Sequence, residues 1–146
     1  MTAHSENRHF AVTSYGQCWE MLNRERTTEE DRNLLGASLT SRFHWQQVGG
    51  DQERAVADWM VSRACAAIGE PRLAIKFAWA SLNYENRTFP AWLKASLNEG
   101  MARAHASAGE ISERDRYTSF ALKELEAEKD LEDADLIRNQ IADLLP

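Results

Sequence analysis

Apolar residues recur along the 146-residue chain at spacings of three and four, and no stretch alternates with period two. The pattern predicts an all-α chain of seven helices. The first spans about 6–24, with Phe10, Tyr15, Trp19 and Leu22 on one stripe. Thr27-x-x-Glu30 reads as a capping box opening a second helix that runs to about residue 48, carrying Leu34, Leu35, Leu39, Phe43 and Trp45. Gly49-Gly50 ends it, and Asp51 is the expected cap of a third helix reaching about residue 68. That helix is apolar nearly all round, from Ala55 through Trp59, Met60 and Val61 to Ile68, so it is expected to lie between neighbours.

Gly69 then supplies a left-handed C-terminal cap, and Pro71 sits where a fourth helix opens, to end near residue 86. Pro90 starts a fifth, closed by Gly109 as Gly69 closes the third. Ser112-x-x-Asp115 is the expected cap of the sixth, and Asp130 of the seventh. In the last helix Ala134, Ile137, Ile141 and Leu144 face one way and Asp133, Asp135, Arg138 and Asn139 the other. One apolar and one charged face suits a helix that caps a stacked array. Short connections pair the helices as antiparallel hairpins, about 6–48, 51–86 and 89–129, with a capping helix at about 131–145, in one domain over 1–146.

An internal repeat supports this division. Arg63-Ala-Cys-Ala-Ala-Ile-Gly-Glu70 and Arg103-Ala-His-Ala-Ser-Ala-Gly-Glu110 lie forty residues apart and share Arg, Ala, Ala, Gly and Glu in register. At the same offset Ala55 matches Ala95, Val61 matches Met101, Ser62 matches Ala102, Phe77 matches Tyr117, Ser81 matches Ala121 and Leu82 matches Leu122. The first hairpin lacks the octapeptide, as terminal repeats often do.

These features resemble the tetratricopeptide-repeat superfamily. Small residues stand seven before each inter-helix Gly (Ser62, Ala102), and Ala74-Ile75-x-x-x-x-x-Ser81-Leu82 is similar to the second helix of such a repeat. The chain departs from the family in its 40-residue period, in Arg114 where a small residue stands at Ala74, and in a Pro displaced to Pro90. The resemblance implies hairpins stacked as a short right-handed superhelix. It further implies that the first helix of each hairpin lines a concave groove. The matching positions are Val56, Trp59, Arg63 and Ala67 in one repeat, and Ser96, Glu99, Arg103 and Ser107 in the next.

Arg63 and Arg103, one repeat apart, point to bidentate recognition of carboxylates, with Trp59 as a stacking surface. The partner so read is a protein or peptide segment, acidic or carboxylate-bearing. The competing reading has each Arg paired with a nearby Glu. A second candidate site joins His44 and Trp45 to Asp58, as an acid–base pair or half a metal site walled by Trp45 and Trp59. The alternative there is a structural hydrogen bond to His44. His105 occupies the position of Cys65 in the other copy and reads as a packing position. Trp19, Trp79 and Trp92 fall on apolar stripes and read as core.

The net charge of −6 resides in the last quarter of the chain. From residue 110 onward eleven acidic side chains face five basic ones, and the first 109 residues are neutral. With no basic stripe, nucleic acid is not expected as a partner. The acidic region reads as a solvated helical face, or as a dock for a basic partner. No apolar run approaches the length of a membrane span, and the polar first ten residues contain no secretory h-region. Cys18 and Cys65 read as reduced core thiols in a cytoplasmic protein. No Gly-rich phosphate loop, nucleophile elbow, Cys-x-x-Cys or paired-His motif is present, so no catalytic residue, cofactor or metal is expected. The expected function is a non-enzymatic binding module, with a small-molecule or catalytic helical domain at His44/Asp58 as the alternative. Self-association through the first hairpin or the acidic last helix, giving a homo-oligomer, is a third.

Overall fold

Short connections force consecutive helices to fold back on one another, and the chain does so three times. The computed structural model describes residues 2–86 and 88–144, and among them every regular element is an α-helix: α1 (Ala3–Leu22), α2 (Thr28–Val48), α3 (Asp51–Ala67), α4 (Pro71–Leu82), α5 (Ala91–Ser107), α6 (Ile111–Leu125) and α7 (Leu131–Ala142). Pairs α1–α2, α3–α4 and α5–α6 pack as hairpins. In addition α1 packs on α3, α3 on α5 and α5 on α7, whereas the backbones of α2, α4 and α6 stay farther apart and meet through side chains, Arg42 over the Phe77 ring and Trp79 edge-on to Tyr117. The odd-numbered helices thus form a continuous layer, with the even-numbered helices more widely spaced behind it.

The helix ends follow from local chemistry. Thr27 accepts from the Glu30 amide while Glu30 reaches back to the Thr27 amide, the reciprocal capping box. Gly69 (φ 82°) and Gly109 (φ 74°) are the two described glycines with positive φ. Each makes the same paired closure: the Glu70 amide donates to the Cys65 carbonyl and that of Glu110 to the His105 carbonyl, both at 2.9 Å, while Gly69 and Gly109 donate to Ala66 and Ala106. This turn is so short that Glu70 and Glu110 themselves become the caps of α4 and α6. Ser112 consequently lies inside α6 rather than capping it. Asp51 is likewise the first residue of α3, with Gly50 at the cap, and α4 ends at Leu82, earlier than expected. Asp130 does cap α7, accepting from the Glu132 and Asp133 amides.

The core runs along the array as three clusters. Cys18, Leu34, Trp59, Met60, Phe89 and Leu93 join the first two hairpins to the start of α5. Val61, Cys65, Ala74, Met101, Ala102 and Tyr117 join the second and third. Ala95, Ala121, Leu125, Ala134, Ile137 and Ile141 seat α7. Small residues let the helices of a hairpin approach closely. Ser62 is buried and donates to the Ala74 carbonyl across the α3–α4 hairpin at 2.7 Å, and its repeat counterpart Ala102 is wholly buried. Arg114, where the preceding repeat has Ala74, reaches the Leu144 carbonyl at 3.2 Å and so ties α6 to the end of α7. The substitution of a long donor for a small residue therefore matches the change of neighbour at the end of the array. Trp79 and Trp92 do not lie in the core: they are 47% and 38% exposed, on α4 and α5.

Both thiols are free and buried. Loss of solvation pushes Cys18 up to about 12 and Cys65 up to about 11, so the reactive thiolate is scarce at neutral pH. We expect neither to react with an aromatic disulfide reagent at pH 8 on a timescale of minutes, and two thiols to titrate per chain once the protein is unfolded in guanidinium.

Candidate functional site

The odd-helix layer carries the groove positions, and the structure resolves them into two neighbouring regions. At the C-terminal ends of α3 and α5, Arg63 and Arg103 line one cleft of about 370 Å³ with Ala67, Ser107, Arg26 and Leu144. At the N-terminal ends, Val56 lines two adjoining clefts of about 660 and 240 Å³, and Ser96 and Trp59 line the smaller of these. Trp59 therefore does not share a cleft with the two Arg. Its indole is 7% exposed and forms a wall rather than a free platform.

Glu99 is the member that links the two Arg, and it is wholly buried. Its Oε1 accepts from Arg103 Nε at 2.9 Å, one turn along α5, and its Oε2 stands 3.7 Å from the nearer guanidinium nitrogen of Arg63, on α3. At that separation the second pair is an ion pair without a hydrogen bond, and both atoms are buried without a partner. Arg103 also donates to the Gln140 carbonyl of α7 at 3.2 Å. The Arg63 guanidinium lies over two indoles, 5.1 Å from the Trp19 ring centre and 5.7 Å from that of Trp59. Burial, chiefly, and the like charge of Arg103 hold the Arg63 pKa below its ordinary value. Two guanidiniums thus share one buried carboxylate beneath an open cleft, an excess of one positive charge, with one Arg63 nitrogen unpaired. Each Arg is thus paired with Glu99, and each lines the cleft. Arg26, in the same cleft, is bonded through Nε to Asp31 and through one terminal nitrogen to the Met21 and Arg24 carbonyls.

The second candidate site is not assembled. His44 Nδ1 is hydrogen-bonded to Asn7 Oδ1 at 2.7 Å, and its ring packs against Phe10 and Phe43. Asp58 is buried elsewhere, accepting from Arg42 Nε at 2.5 Å. Burial raises the Asp58 pKa, with Arg42 opposing it. Trp45 lines the cleft of about 660 Å³, with the Arg8 guanidinium 5.3 Å from its ring centre. The pairing of His44 with Asp58 across the α2–α3 turn fails because each side chain finds a nearer partner, one on α1 and one on α2. His105 stacks on Tyr117, with centroids 5.6 Å apart and the rings 9° from parallel, which accounts for an aromatic-compatible packing position. Among the described residues no three His, Cys, Asp or Glu side chains converge as a metal site, and no helix is long and apolar enough to cross a membrane.

Sequence reasoning missed two contributors. Gly100, the repeat counterpart of Met60, leaves room for Trp59: a Cβ there would stand 2.5 Å from Trp59 Cδ1. A glycine in mid-helix was the available signal. Phe89, in the α4–α5 connection, is 4% exposed and lines the cleft of about 660 Å³, and no periodicity marks a loop residue as core. No family model matches the chain, and no curated protein and no solved structure matches it either.

Proposed function

We propose that this chain is a non-enzymatic, tetratricopeptide-like helical-repeat module that binds a segment of a protein along the face formed by α1, α3, α5 and α7. The observation that carries the reading is the meeting of Arg63 and Arg103, repeat-equivalent residues from different hairpins, in one open cleft over a single buried carboxylate. Burying charged groups is costly, and replacing such a triad by apolar residues is often neutral or stabilising. A triad that stays charged and opens to solvent is suited to recognition of a carboxylate-bearing segment.

The geometry also dictates the variant that tests it. Reversing either Arg to Glu would bury like charges beside Glu99, so the informative change is Arg63→Lys/Arg103→Lys. It keeps two compensating charges and removes the planar forks. In an affinity capture read by mass spectrometry, we expect a partner held by the wild type to be depleted at least about tenfold by the double Lys variant, a loss of about 1.4 kcal/mol. Circular dichroism checks that the variant remains helical. Equal capture by both proteins would place the binding surface elsewhere.

A further inference from the structure

The two clefts at the N-terminal ends of α3 and α5 share Tyr15, Val56, Trp92 and Leu93 and so form one trough, of about 660 Å³ in one part and 240 Å³ in the other. Its walls are aromatic to an unusual degree: Tyr15 and Trp19 from α1, Trp45 from α2, Trp59 from α3, Phe89 from a loop and Trp92 from α5. The larger part alone has the volume of a specific ligand site, about 300–1,000 Å³. Trp92 and, across the trough on α7, Leu136 are 38% and 58% exposed. Such side chains gain roughly 25 cal/mol for each Å² of apolar surface that an occupant covers.

Among the described residues that line it, the trough is opposite in charge to the Arg cleft. Asp51 and Glu53 line its larger part and Asp133 its smaller part, and no basic side chain is among its described lining residues. Cations also favour the faces of indole rings, and the trough wall already holds one, since the Arg8 guanidinium lies over Trp45. A second copy of this chain is a poor occupant, because the chain carries a net charge of −6 and its acidic excess includes α7, which forms one wall.

We propose that this trough receives a basic, apolar segment of a partner protein, whose aromatic or branched aliphatic side chains fill it between Lys or Arg residues that meet Asp51, Glu53 and Asp133. The inference rests on the reading of the odd-helix layer as the binding face and assigns that face a second subsite, of the opposite charge preference to the Arg cleft. The apolar anchors supply affinity, and the acidic rim selects the sign of the flanking charges and speeds association at low salt.

Selection of random dodecapeptides displayed on phage against the full-length protein tests it without a known partner. We expect enriched peptides to carry Lys or Arg beside Trp, Phe, Leu or Ile. Synthetic versions should bind Glu53→Lys/Asp133→Lys and Trp92→Ala at least about tenfold more weakly than the wild type, by calorimetry. A charge-matched control on α6 and its C-terminal cap, Glu113→Lys/Glu126→Lys, should bind as the wild type does. Peptides rich in Asp or Glu, lost to Arg63→Lys/Arg103→Lys and indifferent to the rim variants, would overturn this inference and uphold the proposed function. Enrichment of no peptide class over bare matrix would overturn both. A dimer by light scattering in which Trp92 fluorescence is shielded from iodide would also overturn it, in favour of a second copy in the trough.

Discussion

Glu99→Ala is expected to cost about 3–5 kcal/mol of folding stability, the usual effect of removing one partner from a buried charge group. Glu99 is wholly inaccessible and is the shared counter-charge of Arg63 and Arg103, which are 17% and 22% exposed. Without it two guanidiniums from adjacent hairpins face each other at the α3–α5 contact, and the desolvation already evident at Arg63 has no compensation. Urea denaturation followed by circular dichroism reads the loss directly. The electrostatic origin is separable from packing by a triple change, Arg63→Met/Glu99→Met/Arg103→Met, which removes all three charges and keeps comparable volume. We expect it to recover most of the stability while abolishing capture of the partner. A Glu99→Ala variant within about 1 kcal/mol of the wild type would show that the triad is well hydrated in solution, and the charge excess in the cleft would then carry little weight.

Gly100→Ala should lower stability by about 1–2 kcal/mol, although alanine is the better helix former by about 1 kcal/mol. The added Cβ would stand 2.5 Å from Trp59 Cδ1 and 2.7 Å from Nε1. The indole has no easy retreat, because it packs against Trp19 with ring centres 5.8 Å apart and lies beneath the Arg63 guanidinium. Overpacking of this kind costs about 1–3 kcal/mol and is felt here on top of the propensity gain. Trp59→Ala should cost about 3–5 kcal/mol, since it empties the centre of the cluster that joins the first two hairpins. The pair should be strongly non-additive: with the ring gone, Gly100→Ala becomes neutral or stabilising. Thermal and urea unfolding of the four proteins in this cycle decide it. A stabilising Gly100→Ala in the wild-type background would mean that the indole does not rest on α5.

The helices were legible because their ends carry strong local chemistry. Thr27 with Glu30, Gly69 with Pro71, Gly109 and Asp130 each fix a boundary through bonds made within a few residues. Among the boundaries that went astray are Asp51, where Gly50 takes the cap position, Ser112, where the Gly109 turn makes Glu110 the cap, and the end of α4, which comes at Leu82. The side chains of the candidate site were legible in position through the forty-residue offset, which places Arg63 and Arg103 alike on their helices. Glu99 was legible on the same face, and pairing of each Arg with a nearby Glu was the competing reading; that one buried Glu serves both was not, because Arg63 reaches it from another helix. Trp79 and Trp92 show the opposite failure. An apolar stripe marks a face that something covers, but it does not distinguish cover by the protein's own core from cover by a partner. For His44 and Asp58, proximity in sequence across a turn suggested a pair. Asn7, from the first helix, and Arg42, from the second, are nearer in space and take both.

The central claim is that the odd-helix layer is the binding face, and the five tryptophans report on it. Trp19, Trp45, Trp59 and Trp92 line the trough, whereas Trp79 lies on α4 beside Tyr117. The decisive measurement is a ¹H–¹⁵N correlation spectrum of the indole resonances, recorded as a selected peptide is added. Shifts at Trp45 and Trp92 with Trp79 unmoved are the predicted result. A shift at Trp79 with the trough indoles unchanged would place binding on the opposite layer and contradict the claim.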